Sequence, residues 1–223
     1  MYYTSELKES TPDIRTVVEQ LIATTNQGYI NSKIPLRASL HCLEEITDMS
    51  EDDFTHDRDL GHFRKYRGGG NTLRGSADAA VLLVKHIDGI CGVGYTIAHP
   101  WGSENAMVSM TRLDCALGGF TFAHELGHNF GNDHDKYESG KPYKPYSQGY
   151  HIKGTKFRTI MAYKRSEKPK NTQQINYYSN PNVKIKKART GKKGKADAAR
   201  MITEVRFFVA SIGDESEMCP NDQ

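Results

Sequence analysis

The stretch His124-Glu125-Leu126-Gly127-His128-Asn129-Phe130-Gly131-Asn132-Asp133-His134-Asp135 constrains this chain more than any other. It begins as a helix, with His124 and His128 at i and i+4, one turn apart on one face and close enough to share a metal ion. Gly131 stands where that helix must stop and the chain must turn sharply, a place for a residue without Cβ. The turn carries His134 back to the same ion as a third ligand. Three neutral imidazoles and one open position describe a catalytic zinc site, whereas four protein ligands close a structural one. Glu125 adjoins the first histidine and reaches water at the metal without being a ligand. The competing reading is a surface helix that happens to carry histidines. The short HExxH pattern recurs by accident, and the full HExxHxxGxxH spacing far less often.

This stretch resembles the long motif of the metzincin clan of zinc endopeptidases at every fixed position. The clan also has a methionine-containing turn beneath the metal, and Thr159-Ile160-Met161-Ala162-Tyr163 is similar to it. Asp135, directly after the third histidine, resembles the adamalysin/reprolysin branch. Met161-Ala162-Tyr163 is instead similar to astacins and serralysins, in which that tyrosine reaches the zinc. With Tyr178-Ser179-Asn180-Pro181 and a closing helix, the combination looks most like the reprolysin-like proteases secreted by bacteria, over about Ala79 to Ile212.

The resemblance implies an α+β metzincin fold whose N-terminal part is α/β-like. It has a twisted, mostly parallel sheet with helices, a zinc cleft, and a small irregular C-terminal subdomain ending in a helix. One catalytic domain would span residues 1–223, with the zinc helix in 1–134 and the methionine turn and closing helix in 135–223. The activity implied is hydrolysis of peptide bonds in proteins, with one Zn2+ on His124, His128 and His134. Zinc brings its bound water near neutral pKa, and Glu125 takes the proton and hands it to the leaving amine. Met161 packs beneath the imidazoles, because a soft thioether suits such a nitrogen site poorly. Asp135 accepts hydrogen bonds that fasten the two subdomains. Tyr163 either stabilises the oxyanion from beside the zinc or is an ordinary buried tyrosine, and the residues leave both open. A calcium site near Cys219 and Asn221 would echo the adamalysin branch, on a match too loose to predict one. Cleavage specificity is not legible in the sequence: the segment after Met161 would wall the pocket for the residue that follows the cut, and Lys164, Arg165 and Lys168 there are compatible with an acidic side chain.

At 223 residues the chain suits one domain with a substantial core. No apolar run is long enough to cross a bilayer. Met1 to Glu6 lack both regions of a signal peptide, so a secreted protein would be present here in mature or trimmed form. Four cysteines allow three disulfide connectivities. Cys91–Cys115 is favoured, closing a modest loop ahead of the zinc helix and leaving Cys42–Cys219. Four free thiols in a cytosolic protein are the alternative. The net charge of +3 hides an asymmetry: eight acids and one base from Glu44 to Asp59, then eighteen bases and three acids from Lys136 to Arg200. Such runs are mostly solvated faces, and the functional alternative is a patch for polyanions or acidic proteins. Nucleic acid is not expected, because no recognition motif accompanies the lysines. A monomer is expected.

Ser10-Thr11-Pro12-Asp13 starts a helix with apolar periodicity through about Asn26, ended by Gly28. Ile34 to Ile46 alternates like a half-buried strand, and the acidic segment from Ser50 opens a helix that stops at Gly68-Gly69-Gly70. Ala79 to Val84 reads as a central strand, Ala106 to Thr111 as another, Phe120 to Gly131 as the zinc helix and Lys195 to Ile212 as the closing helix. By resemblance, an edge strand that binds extended substrate falls between Gly92 and Met110. The other histidines (His41, His56, His62, His86, His99, His151) have no ligand spacing and read as surface or core residues. Two further functions compete with broad proteolysis. One is a zinc-containing binding module that uses the basic half, which the intact Glu125 argues against. The other is a narrow-specificity, toxin-like protease.

Overall fold

The structure, a computed structural model, describes residues 1–52, 54, 56–97, 104–138, 140–164 and 171–213. Its sheet has five short strands, β1 (Tyr2–Thr4), β2 (Glu44–Ile46), β3 (Ala80–Val84), β4 (Gly92–Gly94) and β5 (Val108–Arg112), in the order β2-β1-β3-β5-β4. The β1–β2, β1–β3 and β3–β5 pairs are parallel, and β4 runs antiparallel to β5 at the edge. The mixed, mostly parallel sheet expected from the sequence is therefore present. β3 is an unbroken apolar run because helices cover both faces of the sheet. Ala80, Leu82 and Val84 pack with Leu60, Phe63 and Leu73, whereas Val81 and Leu83 pack with Leu7, Val18, Leu21 and Phe122.

The helices are α1 (Ser5–Ser10), α2 (Ile14–Asn31), α3 (His56–Lys65), α4 (Gly70–Arg74), α5 (Leu113–Gly119), α6 (Thr121–Asn129) and α7 (Ala198–Val209). Four expectations need correction. α2 starts at its Asp13 cap but runs through Gly28 instead of ending there. A Cβ at Gly28 would collide with the Asn176 carboxamide, so this glycine serves a close approach between segments, not a stop. From Ile34 to Leu40 burial alternates as a strand's would, yet no ladder forms before Glu44. The Asn26 carboxamide takes the ladder partner's place, donating to Ala38 O and accepting from Ala38 N, both at 2.8 Å. The acidic helix begins at His56 rather than Ser50 because Glu51 is buried. Its carboxylate accepts the Lys85 and His86 amides just beyond β3 (2.9 and 2.6 Å) and the Thr4 hydroxyl at the end of β1. Finally, Gly68-Gly69-Gly70 marks a kink into α4, not the end of helical structure.

After Asp135 the regular structure shrinks to two-residue ladders, β6 (Phe157–Arg158) with β7 (Gln173–Gln174) and β8 (Lys184–Ile185) with β9 (Ala188–Arg189), before α7. α7 buries Ala198, Ala199, Ile202 and Val209 in one cluster with Tyr29, Ile160, Met161 and Tyr178. Tyr29 and Tyr178 stack at 5.6 Å, and the Tyr178 hydroxyl donates to Ala123 O of α6 at 2.6 Å. Cys91 and Cys115 are bonded, as expected, and Cys219, Asn221 and the suggested calcium site lie outside the described residues. Among those residues, no helix is long and apolar enough to cross a membrane.

Candidate metal centre

α6 is buried almost all round, with Phe122, Ala123 and Leu126 in the core, so its two histidines are carried on a rigid element. Asn129 anchors its last turn to the sheet: the side-chain amide donates to the carbonyls of Tyr95, Ala106 and Val108 at 2.9, 2.9 and 3.0 Å. The helix ends in a Schellman turn, Asn132 N to Gly127 O (3.0 Å) and Gly131 N to His128 O (2.7 Å), with Gly131 at φ 84°. That left-handed residue is what turns the chain back, and glycine adopts it without a Cβ penalty.

The turn brings His134 to the other two imidazoles. His134 Nε2 lies 3.0 Å from His128 Nε2 and 3.1 Å from His124 Nε2. With metal–nitrogen bonds of about 2.0–2.1 Å, tetrahedral ligands sit roughly 3.3 Å apart, so this spacing suits one zinc ion. The tautomers suit it as well. His124 Nδ1 faces Ile160 O at 2.9 Å and His128 Nδ1 faces Asn132 O at 2.8 Å. Each carbonyl accepts the Nδ1 proton and leaves the Nε2 lone pair for the ion. Burial, and the neighbouring imidazoles after it, hold His124 well below the usual histidine range and His134 down at about 4, so both are neutral donors at pH 7. Lone pairs converging at this distance repel unless a cation lies among them. The three residues therefore fit a zinc ion.

Glu125 is 4% exposed, and burial pushes its carboxyl up to about 8. It abuts β4 so closely that a Cβ at Gly92 would lie 2.8 Å from Oε1. Met161 is fully buried beneath α6, and a Cβ at Gly127 would strike its Sδ. Tyr163 is 44% exposed, its ring 5.6 Å from His124 and 4.1 Å from His134. It therefore sits over the histidines rather than in the core. Burial, then the Glu125 charge, raise its hydroxyl to about 12. Asp135 is buried and accepts from the backbone N–H groups of Tyr137 and Tyr163, both at 3.1 Å. Burial pushes its carboxyl up, but His151, 3.6 Å away, and those two amides outweigh this and hold it below the usual range.

Beside the histidines lies a cleft of ≈ 540 Å³, bounded by β4 and the Cys91–Cys115 bridge on one side and by Arg158, Ala162, Tyr163 and Lys164 on the other. Lys164 lines it too, while Arg165 and Lys168 lie outside the described residues. Sequence reasoning missed Gly92, Gly127, Asn129, His151 and Arg158. Gly127 alone carried a local signal, as a glycine inside a helical pattern. The others act through segments distant in sequence.

Comparison with known proteins gives a consistent result. A family model described as Metallo-peptidase family M12 (Reprolysin_5) matches residues 1–179. A "Peptidyl-Asp metalloendopeptidase" of Stenotrophomonas maltophilia (strain K279a) is 32% identical over 211 residues, covering 90% of this chain and 48% of the relative. One of Pseudomonas fragi, with the same name, is 30% identical over 161 residues, covering 71% of this chain and 83% of the relative. The chain thus spans about half the length of the first of these. A solved structure described as "Structure of a chaperone-substrate complex" superposes with TM-score 0.73 at 18% identity over 96% of this chain and 35% of that one, a likeness of fold alone.

Proposed function

We propose, from the premise that this chain belongs to metallopeptidase family M12, that it is a zinc endopeptidase acting on proteins or peptides. The observation that carries the reading is the convergence of three neutral Nε2 atoms beside a buried carboxyl, at the edge of an open cleft. His124, His128 and His134 would hold a zinc ion, which would supply Lewis acidity to water and to the scissile carbonyl. Glu125 accepts the proton of the attacking water and returns it to the leaving amine. Its carboxyl is held against β4, which keeps it off the imidazoles and beside the cleft. Tyr163 leans over the histidines from the solvent side, where its hydroxyl donates to the developing oxyanion. β4 presents its free edge to an extended substrate, which adds as a further strand.

Met161 and Asp135 are supports in this scheme. Met161 fills the space beneath α6, and Asp135 ties the segment after the third histidine to Tyr163. A division at residue 134 is supported by the position of the cleft, between the sheet with α6 and the segment that Asp135 gathers. The relatives' name extends the proposal to cleavage beside aspartate. The Cys91–Cys115 bridge fits an oxidising compartment and therefore secretion.

The test is zinc content measured with cleavage of an unfolded protein, in the wild type and in Glu125→Ala. Equimolar zinc in both, with kcat/KM reduced at least about 10²–10⁴-fold in the variant, is the expected result. Equal cleavage by both would remove Glu125 from the mechanism. Zinc in both without cleavage in either would remove the enzyme reading.

A further inference from the structure

Arg158 is out of place by ordinary standards. It belongs to β6, six residues before Lys164, yet its side chain lines the wall of the cleft that holds His124 and Glu125. Nε donates to Ala162 O at 3.0 Å and Nη1 to Thr172 O, two neutral carbonyls that fix the plane of the guanidinium. Among the described residues no carboxylate forms an ion pair with it. The acids that line the cleft are committed elsewhere. Asp114 is bonded to Arg112 Nε at 2.7 Å and to Cys115 N at 2.7 Å, and Glu125 stands at the histidines. A half-buried cation without a counter-ion is costly, and it persists where an anion from outside completes it.

We propose that Arg158 is the specificity residue of this site, receiving the carboxylate of an acidic residue that directly follows the scissile bond, aspartate foremost. The inference rests on the endopeptidase reading above and deepens it. Guanidinium binds carboxylate through a planar fork of N–H donors, and the two bonds to Ala162 and Thr172 hold that fork in place before substrate arrives. Lys164, exposed at the rim, adds positive potential along the way in. Burial holds the Arg158 pKa below its ordinary value, with the more distant Asp135 charge opposing, which is the electrostatic signature of an incompletely paired cation. The tie to Ala162 also sets the receiving group next to Tyr163, so the side chain that is read lies close to the bond that is cut. The relatives' printed name, peptidyl-Asp metalloendopeptidase, agrees with this chemistry.

The experiment uses the zinc-loaded chain and quenched peptides identical except for Asp, Asn, Ala or Lys at the position after the cut. The readout is the ratio of kcat/KM for Asp over Asn. The wild type is expected to favour Asp by about 10²-fold, the scale of a charge-assisted bidentate contact in a partly dry site. Arg158→Gln is expected to bring that ratio near unity, the Asp peptide losing far more rate than the Asn peptide. A merely structural role would lower both rates and leave the ratio alone. If Arg158→Gln folds poorly, as judged by its Tm, Arg158→Lys reads the same ratio. It keeps the charge without the fork, and the ratio should fall about tenfold. Equal cleavage of the Asp and Asn peptides by the wild type overturns the proposal, as does an unchanged ratio in both variants. Failure of the wild type to cut any peptide overturns the endopeptidase reading instead, and the inference falls with it.

Discussion

The two walls of the cleft are built by different means. On one side, β3, β5 and α6 are held by ladder and helix hydrogen bonds, with Asn129 as a side-chain bolt. On the other, between Asp135 and α7, side chains hold the backbone one amide at a time. Asp135 holds Tyr137 and Tyr163, Thr159 holds Tyr150, Ser32 holds Tyr178, and Ser179 holds Ala198. Most residue types can make a ladder bond, so the first wall tolerates substitution as long as apolar pattern and volume survive. A side chain that holds a buried amide is specific, and its loss leaves a donor unpaired at about 1–3 kcal/mol. The second wall should therefore be the brittle one, although it has the less regular appearance.

Asp135→Ala is the strongest way to test that difference. It strands two backbone amides and removes the partner of His151, and it should cost about 3 kcal/mol in urea unfolding and weaken zinc retention. A loss under about 1 kcal/mol would break the comparison. Asp135→Asn, which keeps one acceptor oxygen, should cost less and so sharpen it.

The seam between the walls gives a smaller effect. Gly127→Ala inserts a methyl against Met161 Sδ and the Tyr178 ring, and overpacking of this kind costs about 2 kcal/mol. Shortening Met161 in the same chain should recover part of that, as a double-mutant cycle would show. Without coupling, the two residues do not share the seam.

The smallest effect concerns charge on the regular wall. In metal-stripped protein, burial raises the Glu125 carboxyl from 4.5 to about 8, so the folded state releases its proton later than the unfolded one. Its contribution to stability is complete below about pH 4.5 and is lost as pH rises through about 8. Stripped Glu125→Gln should then be more stable than stripped wild type at pH 8, by about 1 kcal/mol since cleft water relieves part of the burial, and equal to it near pH 4.5. His134 works in the opposite direction: lowered from 6.5 to about 4, it weakens the stripped fold as pH falls across that interval. Thermal midpoints of the stripped proteins across this pH range would show both slopes.

What could be read from the chain alone follows from distance along it. His124, His128, Gly131 and His134 lie within eleven residues, where helical period and one left-handed turn determine their relative placement. β3 was legible because parallel strands demand a continuous apolar run, and α7 because its apolar stripe has helical period. Local pattern misled where a distant side chain replaced a local partner. Gly28 looked like a stop until Asn176 met it, Ile34–Leu40 looked like a strand until Asn26 took the ladder's place, and the acidic helix looked longer until Glu51 turned inward.

The ligand-bearing helix, its turn and the central strand were thus determined by the sequence itself, because short-range sterics and hydrophobic periodicity act between neighbours. The tertiary structure alone decided that Arg158 faces the cleft, that His151 lies 3.6 Å from Asp135, that Gly92 makes room for Glu125 and that Tyr163 lies over the imidazoles. Each of those brings together residues at least 16 apart in the chain, and no local period encodes such a meeting; only the packing of the whole chain brings it about.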